Sequence, residues 1–323
     1  MRPDLIIIGQ VTVDDVVPAT PGAWRRQIGG SSLYALAGAR LWLDPGRIGL
    51  LARIGKDYPF DVEGLLRSVG LKHIALPRFP GEHLVEWLIY EPDGSRRSLP
   101  RNPELLEVGA EGDVGATADA TASPNTAAAA EFHPYRRKLL DIAPAADEIP
   151  AAWLPAPAVH LCPQVGDRHR DALRTLRKSV RWISVDPSPH YSRSLDAAGL
   201  ARFLEGTTAL LPSANEVQPL LRQAAAESVA LQLHREGIPE VVIKRGADPV
   251  VLADQGASHC VPVIPTQVVD PTGAGDSFCG AYAACRLLGH PPLEAARRAV
   301  ASAKLVVGCS GVEAALQLVT PKT

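Results

Sequence analysis

The five cysteines, Cys162, Cys260, Cys279, Cys285 and Cys309, are odd in number and include no C-x-x-C pair. This excludes a disulfide framework and argues against a structural zinc site, so the thiols read as reduced, small apolar residues of a cytoplasmic protein. The nine histidines show neither H-E-x-x-H nor H-x-H spacing, which removes the common transition-metal motifs. Gly29-Gly30-Ser31 lacks the G-x-S-x-G elbow of a serine hydrolase. No G-x-G-x-x-G follows the first apolar run, so a dinucleotide fold of the usual kind is excluded. Charge of one sign is lacking too. Thirty-three Lys and Arg stand against 35 Asp and Glu, a net of −2, with no basic stripe for nucleic acid and no charge block for a tail. No apolar run approaches the roughly 20 residues of a membrane span. The four at residues 5–8 read as a buried first strand rather than a signal peptide.

What is present is a long chain, 323 residues and 46% hydrophobic, enough to bury the core of one large α/β domain. Apolar strand-like runs at residues 5–8, 48–54, 158–162, 182–185, 209–211 and 240–244 alternate with helical patterns. The helices are expected at 31–43, 61–69, 168–180, 217–225, 229–236, 277–288 and 293–307. Such alternation predicts a doubly wound, mostly parallel sheet. Residues 84–90 alternate like a half-buried strand and lead through Glu91-Pro92-Asp93-Gly94-Ser95 into a hairpin ending near Leu99. A second hairpin is expected at 250–252 and 259–263. The segment 109–131 is almost entirely small residues and is expected to form a mobile loop or an Ala-rich helix.

The most informative segment is Val268-Val269-Asp270-Pro271-Thr272-Gly273-Ala274-Gly275-Asp276-Ser277-Phe278. An apolar run turns through small residues into a helical pattern, so consecutive N–H groups and a helix dipole point at one spot. That is an anion hole with a carboxylate, Asp276, at its rim. Asp276 reads either as a helix N-cap or as a base that removes a hydroxyl proton while the hole holds a phosphoryl group.

The string D-P-T-G-A-G-D-S-F resembles the C-terminal signature of the PfkB/ribokinase family of carbohydrate kinases. The likeness extends over nearly the whole chain. It implies a three-layer α/β/α fold over residues 1–323 with a small β lid built from about 11–29 and 78–105. It implies ATP, Mg²⁺ and, in many relatives, a K⁺ ion held by the 270–272 loop and Cys309-Ser310-Gly311. By the same resemblance Asp276 is the base and Gly273, Ala274 and Gly275 form the anion hole, with Thr272 beside the nucleotide. Asp14, in Gly9-Gln10-Val11-Thr12-Val13-Asp14, is implied as the ligand of vicinal hydroxyls, and Asp15 as its solvent-facing neighbour. Gly29 and Gly30 match the family's diglycine, but Tyr34 stands where Asn is usual; its ring could close the pocket or stack on a ligand.

Asn215 fits the family's N-x-x-E segment and Gln218 replaces its Glu, an outer-shell Mg²⁺ set short of one charge. Glu216 is adjacent but, on a helix, would face about 100° away. Lys244, Arg245 and Gly246 resemble the strand end that meets ATP phosphates, or else are a solvated basic pair. Arg53 is a further phosphate or substrate contact, Pro249 replaces a family Gly, and Val300 replaces an Asn beside the adenine. The expected reaction is phosphoryl transfer to a hydroxyl of a small sugar, polyol or nucleoside. These departures keep open a sugar- or nucleotide-sensing binding protein on the same fold, and a homodimer through the lid is compatible with either.

Overall fold

The computed structural model describes residues 2–17, 24–90, 96–100 and 134–319. Its strands are β1 Leu5–Ile8, β2 Thr12–Val17, β3 Arg25–Gly29, β4 Ile48–Leu51, β5 Ile54–Gly55, β6 His73–Ala75, β7 Arg78–Phe79, β8 Val85–Tyr90, β9 Arg96–Pro100, β10 Ala156–Leu161, β11 Val180–Val185, β12 Ala209–Leu210, β13 Glu240–Ile243, β14 Val250–Asp254 and β15 Ala257–Val261. The helices longer than one turn are α1 Ser31–Ala39, α2 Val62–Ser68, α3 Pro134–Ile142, α4 Gly166–Leu176, α5 Ala197–Phe203, α6 Ala226–Arg235, α7 Ala274–Leu287, α8 Pro292–Val307 and α9 Gly311–Ala315.

Nine strands form one sheet in the order β15-β14-β13-β12-β11-β10-β1-β4-β6. From β6 to β13 every pairing is parallel; only the β13-β14-β15 edge is antiparallel. Leu5, Ile6, Ile7 and Ile8 are at most 2% exposed, because a parallel strand covered by helices on both faces has no polar side to show. Odd and even residues of β1 enter separate apolar clusters, Ile6 and Ile8 with Val159 and Val185, Leu5 and Ile7 with Leu33 and Leu36. The expected doubly wound, three-layer arrangement is therefore observed. A second, four-stranded sheet, β3-β2-β8-β9, comes from the two segments expected to build the lid. The 91–95 turn and the 109–131 insertion lie outside the described residues.

Several boundaries differ from expectation. The 217–225 helix shrinks to Gln218–Leu221: it starts one residue late and ends four residues early, where the chain turns at 222–224. α7 begins at Ala274, three residues before expectation, which places Asp276 inside its first turn. Val268 and Val269 form no strand and are 55% and 58% exposed. α3 and α5 are not among the helices expected from the sequence; α3 packs Leu139 and Ile142 against Phe79 and Leu84, and α5 buries Leu200 in the main core.

Helices α1 and α7 cross at glycine on both sides. A Cβ built on Gly38 would stand 1.9 Å from the Ser277 carbonyl oxygen, and one on Gly280 1.8 Å from that of Ala35. The backbones touch, so any side chain there forces the helices apart. Gly280→Ala gains about 1 kcal/mol of helix propensity but is expected to lose more to overpacking, for a net destabilisation of about 1–3 kcal/mol by urea unfolding. An unchanged midpoint would mean that the helices can separate freely.

Three buried histidines share one electrostatic consequence. Burial lowers His83 to about 4, His160 to about 3 and His169 to about 4. Hydrogen bonds to the Val11 carbonyl, the Ser184 hydroxyl and the Cys162 carbonyl hold the three rings. All lie below the unfolded value of about 6.5, so the unfolded chain binds protons that the folded chain refuses. Stability is full above about pH 6.5 and is expected to fall as the pH drops toward about 4. A thermal midpoint that stays flat over that window would contradict this.

Candidate active site

The two glycine turns meet because the helices they start are crossed. Gly273 caps α7 with φ 75°, a left-handed conformation that side chains resist. A Cβ there would also enter the Tyr34 ring, 2.1 Å from its Cγ and Cδ1. Tyr34 stands one turn before Gly38 on α1, and Gly273 one turn before Ser277 on α7. The crossing thus drives the ring under the anion turn. Tyr34 is 3% exposed and its ring packs against the Gly273 backbone.

The turn itself is tied down around its glycines. The Thr272 amide donates to Asp270 Oδ1 at 2.9 Å, the Ser277 amide to the Gly273 carbonyl at 2.8 Å, and the Asp270 amide to the Val307 carbonyl at 3.1 Å. The N–H groups of the first helical turn, among them those of Gly275 and Asp276, have no carbonyl one turn back within the helix and face outward with the dipole. Asp276 is half-buried beside them.

Asp14 lies on β2, 4% exposed, and accepts from Thr12 Oγ1 at 2.7 Å. Gly29, opposite Thr12 in the sheet, has no side chain where the Asp14 carboxylate lies. Alternation along β2 sends Asp15 to the other face. Asp15 is not solvent-facing as expected: it is fully buried and paired with Arg26, with contacts of 2.8 and 3.0 Å.

The small sheet touches the anion turn directly. Tyr90, on β8, donates to Asp270 Oδ1 at 2.9 Å and lies against the Thr272 hydroxyl. Arg25, on β3, donates to the Ser310 hydroxyl at 2.7 Å. Asp270, Thr272 and Ser310, expected at the nucleotide and cation end of the site, are therefore bridged to the small sheet.

Lys244 does not project from the strand end. Its ammonium is 2.5 Å from Asp186 Oδ2 and 3.2 Å from Cys279 Sγ, and a Cβ on Gly275 would stand 3.5 Å from it. The charge is held behind the anion turn. Burial pushes the Asp186 carboxyl upward while Lys244 pulls it back; for Lys244 burial pulls downward but Asp186 holds it above the ordinary lysine range. The sequence reading missed Asp186, whose only signal was its place at the end of a strand, before Pro187. Arg245 reaches only the Pro249 carbonyl at 3.4 Å and Asp248 at 3.7 Å, and Gly246 is exposed, as a solvated strand end would be.

The metal set also changes. Residues 213–217 form a turn, so the helical argument that turned Glu216 away does not apply. Glu216 accepts from the Ser213 amide and acts electrostatically on both Asp186 and Lys244. Gln218 is exposed, and Asn215 binds Arg193 through its side-chain and backbone oxygens. Among the described residues no three His, Cys, Asp or Glu group as a metal site. Arg53 is occupied elsewhere, paired with Glu148 at 3.0 Å and donating to the Asp141 carbonyl at 2.6 Å. Val300 is buried in the core. A cleft of about 320 Å³ lined by Arg170, Arg174, Arg177 and Arg202 shares no residue with this site.

Lys244→Met would leave the Asp186 carboxylate buried without its cation. The expected cost is about 3–5 kcal/mol by urea unfolding, much of it recovered in Lys244→Met/Asp186→Leu because removing both charges removes the uncompensated one. Equal losses in the two variants would contradict the pairing.

The sequence of residues 168–318 matches the family described as pfkB family carbohydrate kinase. The chain is 26% identical over 314 residues to the cytidine kinase of Thermococcus kodakarensis, spanning 94% of this chain and 96% of that one. Against the 2-dehydro-3-deoxygluconokinase of Escherichia coli K12 it is 34% identical over 114 residues, 34% of this chain and 37% of that protein. The fold superimposes on a fructokinase with bound ATP from Xylella fastidiosa with TM-score 0.69 at 19% identity, covering 97% and 94% of the two chains. It superimposes on a Burkholderia thailandensis nucleoside kinase in complex with inosine with TM-score 0.67 at 14% identity, covering 96% and 91%. Residues 168–318, just under half of the chain, thus carry the pfkB family carbohydrate kinase match, and the chain shares the fold of the fructokinase and the nucleoside kinase along nearly its whole length.

Proposed function

We propose that this protein transfers the γ-phosphoryl group of ATP to a hydroxyl of a small sugar, polyol or nucleoside. The observation that carries the reading is Asp276 in the first turn of α7, immediately after the Gly273-Ala274-Gly275 turn. Asp276 takes the proton of the acceptor hydroxyl, that oxygen bonds to the γ-phosphorus, and the bond to the bridging oxygen breaks to release ADP. The outward N–H groups of the turn stabilise the charge on the transferring group, with the buried Lys244 ammonium behind them. Asp14 holds vicinal hydroxyls of the acceptor, since one carboxylate can accept from two donors.

Asn215 and Glu216 would hold, through water, the Mg²⁺ that accompanies ATP, and that ion would supply charge neutralisation to the phosphates. The 270–272 loop, with Ser310 and Gly311, is where a K⁺ ion would belong. Ile264, Val268 and Val269, 41%, 55% and 58% exposed, lead into the turn and offer an apolar ledge to a flat base. The small sheet, bridged by Tyr90 and Arg25, acts as the lid that keeps water from the phosphoryl group.

Asp276→Asn keeps the size of the side chain and removes the base. The expected result is a kcat at least about 100-fold lower in acceptor-dependent ADP release, with little change in ATP affinity. Turnover equal to the parent protein would sink the mechanism. Thermal stabilisation by ATP or a sugar with no turnover by the parent would favour the sensing protein instead.

A further inference from the structure

The Tyr34 hydroxyl is a polar group of this site with no explained role. It is buried with less than 1 Å² of accessible surface and has no hydrogen-bond partner among the described residues. Its ring is immobilised under Gly273, so the hydroxyl cannot swing away to find one. Burial raises its pKa far above the ordinary tyrosine range, followed by the charges of Asp270, Asp14, Tyr90 and Asp276. The phenol therefore stays protonated, a fixed donor and acceptor among three carboxylates. A buried unpaired hydroxyl costs folding free energy, and folded proteins leave few of them. Two of the three carboxylates are those assigned to the acceptor and its proton, which places the hydroxyl at the acceptor position. Its cover is partly lid: Tyr90, which acts on it, comes from the small sheet.

We infer that Tyr34 is the specificity-determining residue of the acceptor site, its hydroxyl bonding a hydroxyl of a neutral polyhydroxy acceptor and its carboxylate surroundings rejecting acidic ones. The inference rests on the kinase reading above. An acid or phosphate group on the acceptor would meet Asp14, Asp270 and Asp276, the carboxylates that act on this hydroxyl. A neutral acceptor supplies the missing partner at no such cost.

The test compares the parent protein with Tyr34→Phe, which keeps the ring and its packing. Probes are ATP with cytidine, D-ribose, D-fructose or myo-inositol as neutral acceptors, and 2-dehydro-3-deoxygluconate or fructose 1-phosphate as acidic ones. The parent is expected to prefer a neutral acceptor. Tyr34→Phe is expected to raise that acceptor's KM by about five- to tenfold, the loss of one neutral hydrogen bond, with the KM for ATP unchanged. Without ligand it should unfold at the same temperature as the parent or higher, because an unpaired buried hydroxyl has been removed. An acidic acceptor preferred by the parent, an unmoved acceptor KM, or a lower unfolding temperature each overturns the inference while leaving the kinase reading intact. No turnover by the parent with any of the six overturns both.

Discussion

The contact between two helix backbones is the constraint on which the site depends. α1 and α7 touch at Gly38 and Gly280, where neither helix has room for a methyl group. Each helix begins at a glycine, Gly30 and Gly273, and each beginning holds one half of the proposed site. One half is the diglycine against Asp14, the other the anion turn with Asp276. Because the crossing lies within about two turns of both starts, it fixes their separation as rigidly as one element would. Close-packed interiors transmit such displacements, so a shift of the crossing would be felt at the turn.

Beneath the turn the protein keeps one cation where water is scarce. Lys244, Asp186 and Cys279 form a contact set that is almost wholly buried, with Glu216 acting on it from the 213–217 turn. Burying two charges is costly even when they are paired. That cost has a function in a phosphoryl-transfer site, where a positive potential that needs no reorganisation stabilises charge as it develops. The arrangement differs from a lysine that reaches out to a phosphate, since this ammonium is held by its carboxylate and contributes through its field.

On the opposite side, hydrogen bonds join the small sheet to the anion turn. Tyr90 to Asp270 and Arg25 to Ser310 are polar contacts that water can replace. Apolar burial on both faces holds the nine-stranded sheet, while the four-stranded one is held by Ile28, buried in the same core, and by exchangeable bonds to the turn. Such a division suits a cover that must release product.

Local order and its punctuation were legible in the chain itself. Continuous apolar runs such as residues 5–8 declare strands buried on both faces, and D-P-T-G-A-G-D declares a turn that opens a helix, because both signals arise from neighbours in sequence. The family resemblance followed from the same local strings. Long-range packing decided the rest. Only the α1–α7 crossing put the Tyr34 ring under Gly273. Lys244 could be read as a phosphate ligand until β11 brought Asp186 beside it from 58 residues away. Asp15 looked solvent-facing until β3 placed Arg26 opposite it, and Glu216 looked misdirected until its segment proved to be a turn. A side chain's type and spacing fix what it can do. Which partner it meets, and therefore whether its charge or hydroxyl is spent or available, depends on segments far away in the chain, and only the tertiary fold brings those together.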